Sequence, residues 1–182
     1  MTFLFLFASA ALALYLIVTY NGLTRLRQLS RNAYSDIDVQ LKRRHELIPS
    51  LVAAVKGHAG YESSTLVSVV DARSRAVTAR GPAAAGVAEQ ALGNEVRQLL
   101  ALAEAYPDLK AAESFLSLQR NLVEIEDQIQ NARRYYNAVV RDLNTRIEQF
   151  PANLVAAPFG FHREEFFGLS DAAERASPQV KL

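Results

Sequence analysis

The chain opens with TFLFLFASAALALYLIVTY, residues 2–20, without one charged side chain. As a helix rising about 1.5 Å per residue, a run of this length crosses the roughly 30 Å hydrocarbon layer of a bilayer. A secretory leader would place a basic segment ahead of a shorter apolar one and end at a small-residue cleavage site. Here Met1 leads straight into Phe3, Phe5 and Phe7, and the run continues through residues 12–18, past the cleavage-like triplet Ala8-Ser9-Ala10. The reading is an uncleaved membrane anchor over residues 1–21. Tyr15 and Tyr20 stand near its exit, where a ring can keep its hydroxyl at the interface or serve as plain apolar fill. No basic residue precedes the run, whereas Arg25, Arg27, Arg31, Lys42, Arg43 and Arg44 come after it. Because basic flanks stay on the cytoplasmic side, the expected placement is a bacterial cytoplasmic (inner) membrane crossed once. The short amino terminus would lie outside and the rest inside.

The composition is that of a chain with a folded domain beyond its anchor: half of the 182 residues are hydrophobic and 21% are charged. Twenty Lys and Arg oppose nineteen Asp and Glu, a net charge of +1, which gives no global field for nucleic acid or another polyanion. The absence of cysteine excludes disulfide scaffolds, thiolate metal sites and cysteine nucleophiles.

The clearest periodicity is Phe115, Leu118, Leu122, Ile125, Ile129, Ala132, Tyr136, Val139, Leu143, Ile147 and Phe150. Steps of three and four keep one apolar seam on a coiled-coil-like helix, which needs partners to bury it. Tyr106-Pro107-Asp108 predicts its start and Pro151 its end. A second stripe runs through Ala88, Leu92, Val96, Leu99, Ala103 and Tyr106, and a third through Leu66, Val69, Ala72 and Ala76. Glycine and proline place loops at about 57–61 and 81–86. From Leu23 to Val55 a further stripe is interrupted by Ser30, Gln40 and Arg44, and Pro49 predicts a kink or local break because it cannot donate to His45. Only Gly22 lies between this helix and the anchor, and since glycine costs about 1 kcal/mol in a helix the two can run on as one. The expected fold is all-α: a transmembrane helix, an up-and-down four-helix bundle of long helices over residues 22–150, and a Phe-rich tail over 151–182.

Chemical constellations are sparse. His45-Glu46 begins like a zincin motif, but Pro49 stands where the second histidine would ligate. Asp36-Ile37-Asp38 lacks the glycine and terminal glutamate of a calcium loop. Gly57-His58-Ala59-Gly60 lacks the lysine of a phosphate loop. His162, Glu164 and Glu165 could contribute to a divalent-metal site, but one histidine beside two glutamates in a tail is more often solvated, and His45, His58 and His162 are scattered; the reading is no metal, no cofactor and no catalytic residue. Two surfaces are candidates instead. Charged and aromatic residues on the first and last long helices, namely Asp36, Asp38, Lys42, Arg43, Arg44, Arg134, Tyr135, Asn137 and Arg141, form a candidate interaction surface, with the two aspartates as countercharges to the last helix. Arg25, Arg27, Arg31, Phe159, Phe161, Phe166 and Phe167 are candidate lipid contacts, although the favoured reading of the four rings is that they cover the bundle end, with docking on lipid headgroups or another subunit as the alternative.

The run YNGLTRLRQLSRNAYSDIDVQLKRRHELIPSLVAAVKGHAGYE, residues 20–62, resembles the bacterial LemA family. The resemblance continues in LVSVVDARSRA, EAYPDLK, ARRYYN, NTRI, Phe150-Pro151, Gly160-Phe161 and Phe166-Phe167, and so covers nearly the whole chain. It implies an external amino terminus, one membrane helix and a helical bundle without established activity. The family pattern carries an acidic residue after the paired phenylalanines, where this chain has Gly168. Neighbouring genes in the family often encode HtpX-like membrane metalloproteases and TPM-domain proteins, which implies a role beside such partners or in envelope stress. The expected function is a non-enzymatic, membrane-anchored scaffold or adaptor with the bilayer and copies of itself as partners. The alternative is a membrane-surface module that binds or senses anionic lipid.

Overall fold

The computed structural model describes residues 1–59 and 64–168. The expected loop positions 60 and 61, and the tail beyond Gly168, lie outside the described residues. Among those described the chain is all-α: α1 (Thr2–Ala59), α2 (Ser64–Thr78), α3 (Pro82–Ala103), α4 (Pro107–Ala111), α5 (Glu113–Glu148) and α6 (Asn153–Ala156). An extended strap, residues 161–168, comes last.

Anchor and first domain helix are one rod. α1 has 58 residues, about 87 Å at 1.5 Å each, and passes Gly22 without interruption. Its first third carries Phe3, Phe5, Phe7 and Leu12 into open surroundings. It is, among the described residues, the one helix long and apolar enough to cross a membrane. Water is a poor solvent for so many exposed rings and aliphatic chains, so the segment fits a single-pass membrane protein. Protein cover begins at Thr19, and beyond it Leu23, Ala33, Ile37, Leu41, Ile48, Leu51 and Val55 are buried.

The break expected at Pro49 does not occur. Proline leaves the His45 carbonyl without its helical donor, and Arg73 of α2 supplies one, its Nε donating to His45 O at 2.8 Å. The expected loop at 81–86 is also mostly helix. Pro82 takes the first helical position, where a missing N–H costs nothing, and Gly81 turns the chain with φ 79°. Pro107 likewise opens only the five-residue α4; Ala112, extended at ψ 123°, re-aims the chain, and the long helix starts at Glu113.

The four longer helices meet together only far from the anchor. There Ile48, Leu51 and Val55 of α1 pack with Val69 of α2, Leu92 and Leu99 of α3, and Phe115 and Leu122 of α5. α2 and α3, with 15 and 22 residues, span about 22 and 33 Å, against about 54 Å for the 36-residue α5. They run out before the α1–α5 seam does. Midway, Ala33, Ile37, Ile129, Tyr136 and Val140 are closed by Phe167 of the strap. Nearest the anchor, Leu23 and Leu143 are closed by Ala156 and Phe161.

Candidate functional site

α3 turns one unusual face to the centre: Gly86, Glu89 and Gly93, spaced by three and four residues and all buried. At Gly93 the missing side chain admits the Arg44 guanidinium, whose Nη2 would lie 2.8 Å from an added Cβ. Arg44 is only 5% exposed and Glu89 4%. Arg44 Nη1 stands 3.6 Å from Glu89 Oε2 and 3.2 Å from Glu126 Oε2 on α5, and His45 Nε2 lies 2.6 Å from Glu89 Oε1. A buried charge requires a close opposite charge to offset its lost hydration, and this cluster supplies it from three helices. Beside it lies a cavity of about 170 Å³ reaching Gly86, Arg97, Arg133 and Phe167.

The strap docks by main-chain recognition. Asn144 takes the Glu164 N–H on Oδ1 and donates Nδ2 to the Glu164 carbonyl, both at 2.9 Å. Asn137 repeats this at Phe167, accepting at 2.8 Å and donating at 3.3 Å. Between them the Tyr136 hydroxyl donates to the Glu165 carbonyl at 2.8 Å. The spacing has a geometric cause: seven helical residues rise about 10.5 Å, and three extended residues cover about 10 Å. Two asparagines one heptad apart therefore meet peptide groups three residues apart, as a neighbouring strand would. Ser30 of α1 donates to the Glu164 carboxylate. Burial, and then the negative charge of Glu164, hold the Tyr136 phenol well above its ordinary pKa of 10. At the far end of the strap, Gly168 (φ 87°) crosses Gly86 so closely that a Cβ on Gly86 would fall 2.0 Å from its nitrogen. The Arg133 guanidinium lies against Gly168.

The structure disperses the proposed interaction surface. Asp38 and Lys42 line a cleft of about 470 Å³ with Tyr34, His45, Val77 and Arg80, between α1 and the α2–α3 turn. Arg43 lines a separate, shallower groove against α5. Asp36, Arg134, Tyr135 and Arg141 are exposed, with Arg134 donating to Asn131 of its own helix. Asn137 holds the strap, and Arg44 is buried. An ion pair between α1 and α5 runs opposite to the expected sense, the cation coming from α1 and the acid from α5.

Two of the candidate lipid contacts are corrected. Phe161 and Phe167 are buried, Phe161 beneath the Arg27 guanidinium at 4.6 Å from the ring centre. They fill the space left by the short α2 and α3, and Arg27 is held by the same ring. Phe166 is half-buried, while Arg25, Arg31 and Phe159 are exposed. His162 is exposed and Glu164 faces Ser30, so these residues do not converge with Glu165; the His58 side chain lies outside the described residues. Among the described residues no three potential ligands gather.

Sequence reasoning misses Glu89, Glu126, Gly86 and Gly93 as site residues. Their signals are polar or vanishing side chains at core positions: Ser30 and Arg44 interrupt one apolar stripe, and Gly86, Glu89 and Gly93 form a heptad face beside another.

These features define a class of protein: an all-α domain grown from one apolar helix and closed by its own extended strap. The chain belongs to the LemA family, whose model matches residues 33–182. It is 27% identical to magnetosome protein MamQ 2 of Paramagnetospirillum magneticum over 84% of this chain and 65% of that protein. To magnetosome protein MamQ of Magnetospirillum gryphiswaldense it is 25% identical, over 91% and 71%. To protein LemA of Metamycoplasma hominis it is 27% identical, over 83% and 69%. The chain thus spans just under two thirds of the length of the first of these relatives.

Proposed function

We propose that this chain is a non-enzymatic scaffold or adaptor, anchored once in the cytoplasmic membrane with its helical domain inside the cell and copies of itself among its partners. The observation that carries the reading is the continuity of α1: one helix is both anchor and core of the domain, so whatever the domain holds is held at a fixed distance and orientation from the bilayer. The charged groups favour holding over turnover. Arg44, Glu89, Glu126 and His45 answer one another, and Asn137 and Asn144 of α5 are engaged with the strap. Val67, Val70 and Val77 stand exposed on α2, and Tyr135 on α5, leaving apolar contact points on the outer surface. The basic residues after the anchor support the cytoplasmic orientation. A membrane metalloprotease or TPM-domain partner rests on family association, and a role in magnetosomes belongs to the relatives so named.

The test is a photoreactive residue at Tyr135 or Val70 in the full-length protein in intact cells. Covalent dimers, or one membrane protein recovered repeatedly from these positions but not from a buried control, are the expected result. Labelling of lipid alone would transfer the reading to a lipid-binding module, and no product at either position would overturn it.

A further inference from the structure

The turn between α5 and the strap, residues 149–161, has the sequence QFPANLVAAPFGF and carries no charged side chain. The stretch is bracketed by an ion pair, Arg163 Nη1 to Glu148 Oε1 at 2.9 Å, both side chains well exposed. Within it the one-turn α6 has two characters: Ala152, Val155 and Ala156 are buried toward the domain, whereas Phe150, Leu154 and Phe159 are 79%, 65% and 57% exposed. Three large apolar side chains facing outward on a charge-free loop require a cover.

Their position identifies it. α5 runs antiparallel to α1, and Leu143 packs in one cluster with Leu23. From there the remaining turn and a half of α5 advances about 7.5 Å to its end at Glu148, level with roughly residue 18 of α1. That level lies inside the charge-free segment 2–20. Two contacts agree: Thr19 is buried, and Tyr20, the last residue of that segment, meets Phe159 edge-on at 5.2 Å between ring centres. The exposed side chains therefore lie at the depth where α1 enters the hydrocarbon, with the Glu148–Arg163 pair marking the polar rim.

We infer that Phe150, Leu154 and Phe159 insert into the acyl–headgroup boundary of the bilayer that α1 crosses, a second membrane contact that acts as a wedge and fixes the tilt and depth of the rod. Aromatic and aliphatic groups favour that boundary. The inference rests on α1 spanning the membrane, not on the partner-holding role. Buried Phe161 then acts as the post between wedge and domain, on the opposite side from the lipid contact that its sequence context suggests.

The protein contains no cysteine, so single-cysteine variants accept an environment-sensitive fluorophore at one site. Full-length Leu154→Cys, Phe7→Cys and the distal control Ala101→Cys would be labelled and reconstituted in phosphatidylcholine–phosphatidylglycerol vesicles containing lipids nitroxide-labelled at stepped acyl depths. Expected is strong quenching at Leu154 by shallow nitroxides, quenching at Phe7 within the bilayer, and none at Ala101. Quenching at Phe7 but water-like, unquenched emission at Leu154 would overturn the wedge while leaving the anchor. Apolar, unquenched emission at Leu154 that fades on dilution would assign the face to a second copy instead and also overturn it. An unquenched Phe7 would remove the spanning helix and the wedge with it.

Discussion

The two ends of the domain close the same α1–α5 seam by different physics. Far from the anchor, α2 and α3 lay aliphatic stripes over it, and closure comes from apolar area that water no longer touches, about 25 cal/mol per Å². Near the anchor those helices are absent, and an eight-residue strap takes their place. A strap has little apolar surface, so beyond Phe161 and Phe167 it is held by its peptide groups, paired with Asn137, Tyr136 and Asn144. The contrast teaches how one long helix can be capped by elements of unequal length. Where side-chain area is short, a side-chain amide that imitates a strand edge satisfies the main chain that would otherwise be buried unpaired.

The largest effect should come where the two halves meet. Replacing Arg44 by Ala leaves Glu89 buried beside an empty glycine pocket. The expected loss is about 3–5 kcal/mol, read as a fall in denaturation midpoint of the detergent-solubilised protein, with part recovered in the double variant that also carries Glu89→Gln. A loss below about 1 kcal/mol would show that water already reaches the cluster and that the two halves are only loosely joined.

Gly86→Ala tests the junction from the strap side. Alanine improves helix propensity by about 1 kcal/mol, yet its Cβ would collide with the backbone of Gly168. The strap should lift, Phe167 should lose roughly 1.5–3 kcal/mol of burial, and limited proteolysis should cut near Arg163 while amide exchange in α2 and α3 stays slow. Unchanged protection of the strap would break the distinction between the two ends.

Asn144→Ala should cost about 1–3 kcal/mol, because the Glu164 N–H and carbonyl lose their partners in a partly buried setting. The same loss of strap protection should accompany it without disturbing the distal core. Heteronuclear NMR of the Glu164 amide would report it directly.

The smallest effect is set by pH. Burial and nearby acids hold the Tyr136 phenol above its ordinary pKa of 10, and burial with Asp38 does the same for Tyr34. A raised pKa means the folded state keeps its proton longer than the unfolded state. The stabilisation is therefore complete below about pH 10 and declines as pH rises through the folded value. Denaturation measured from about pH 8 to about pH 11 should be flat and then fall, and Tyr136→Phe should flatten the upper limb.

Much of the fold is legible in the residues. The seam from Phe115 to Leu143 carries its alternation of three- and four-residue steps into the core, the stripes of α2 and α3 are buried as their spacing predicts, and the charge-free run stands apart from the domain. Punctuation is less legible. Pro49 reads as a kink or break, Pro82 as part of a loop and Pro107 as the start of the last long helix, but the cost of a proline depends on what lies opposite. Arg73 relieves Pro49, the first helical position tolerates Pro82, and Pro107 starts a helix that Ala112 ends five residues later. The candidate site is legible only as anomalies. Ser30 and Arg44 show that something polar must enter the core without saying what, because their partners lie far away in sequence.

The sequence by itself therefore determined everything that local periodicity and local charge control: the apolar anchor, the all-helical class and which face of each long helix turns inward. Only the tertiary structure decided that Asn137 and Asn144 grip peptide groups rather than charges, and that Phe161 and Phe167 turn inward while Phe150, Leu154 and Phe159 turn out. The division has a physical cause. Hydrophobic periodicity is repeated many times along a helix and survives averaging, whereas a strap is held by a few hydrogen bonds between residues 20 to 134 positions apart, and nothing in the neighbouring sequence records such a bond.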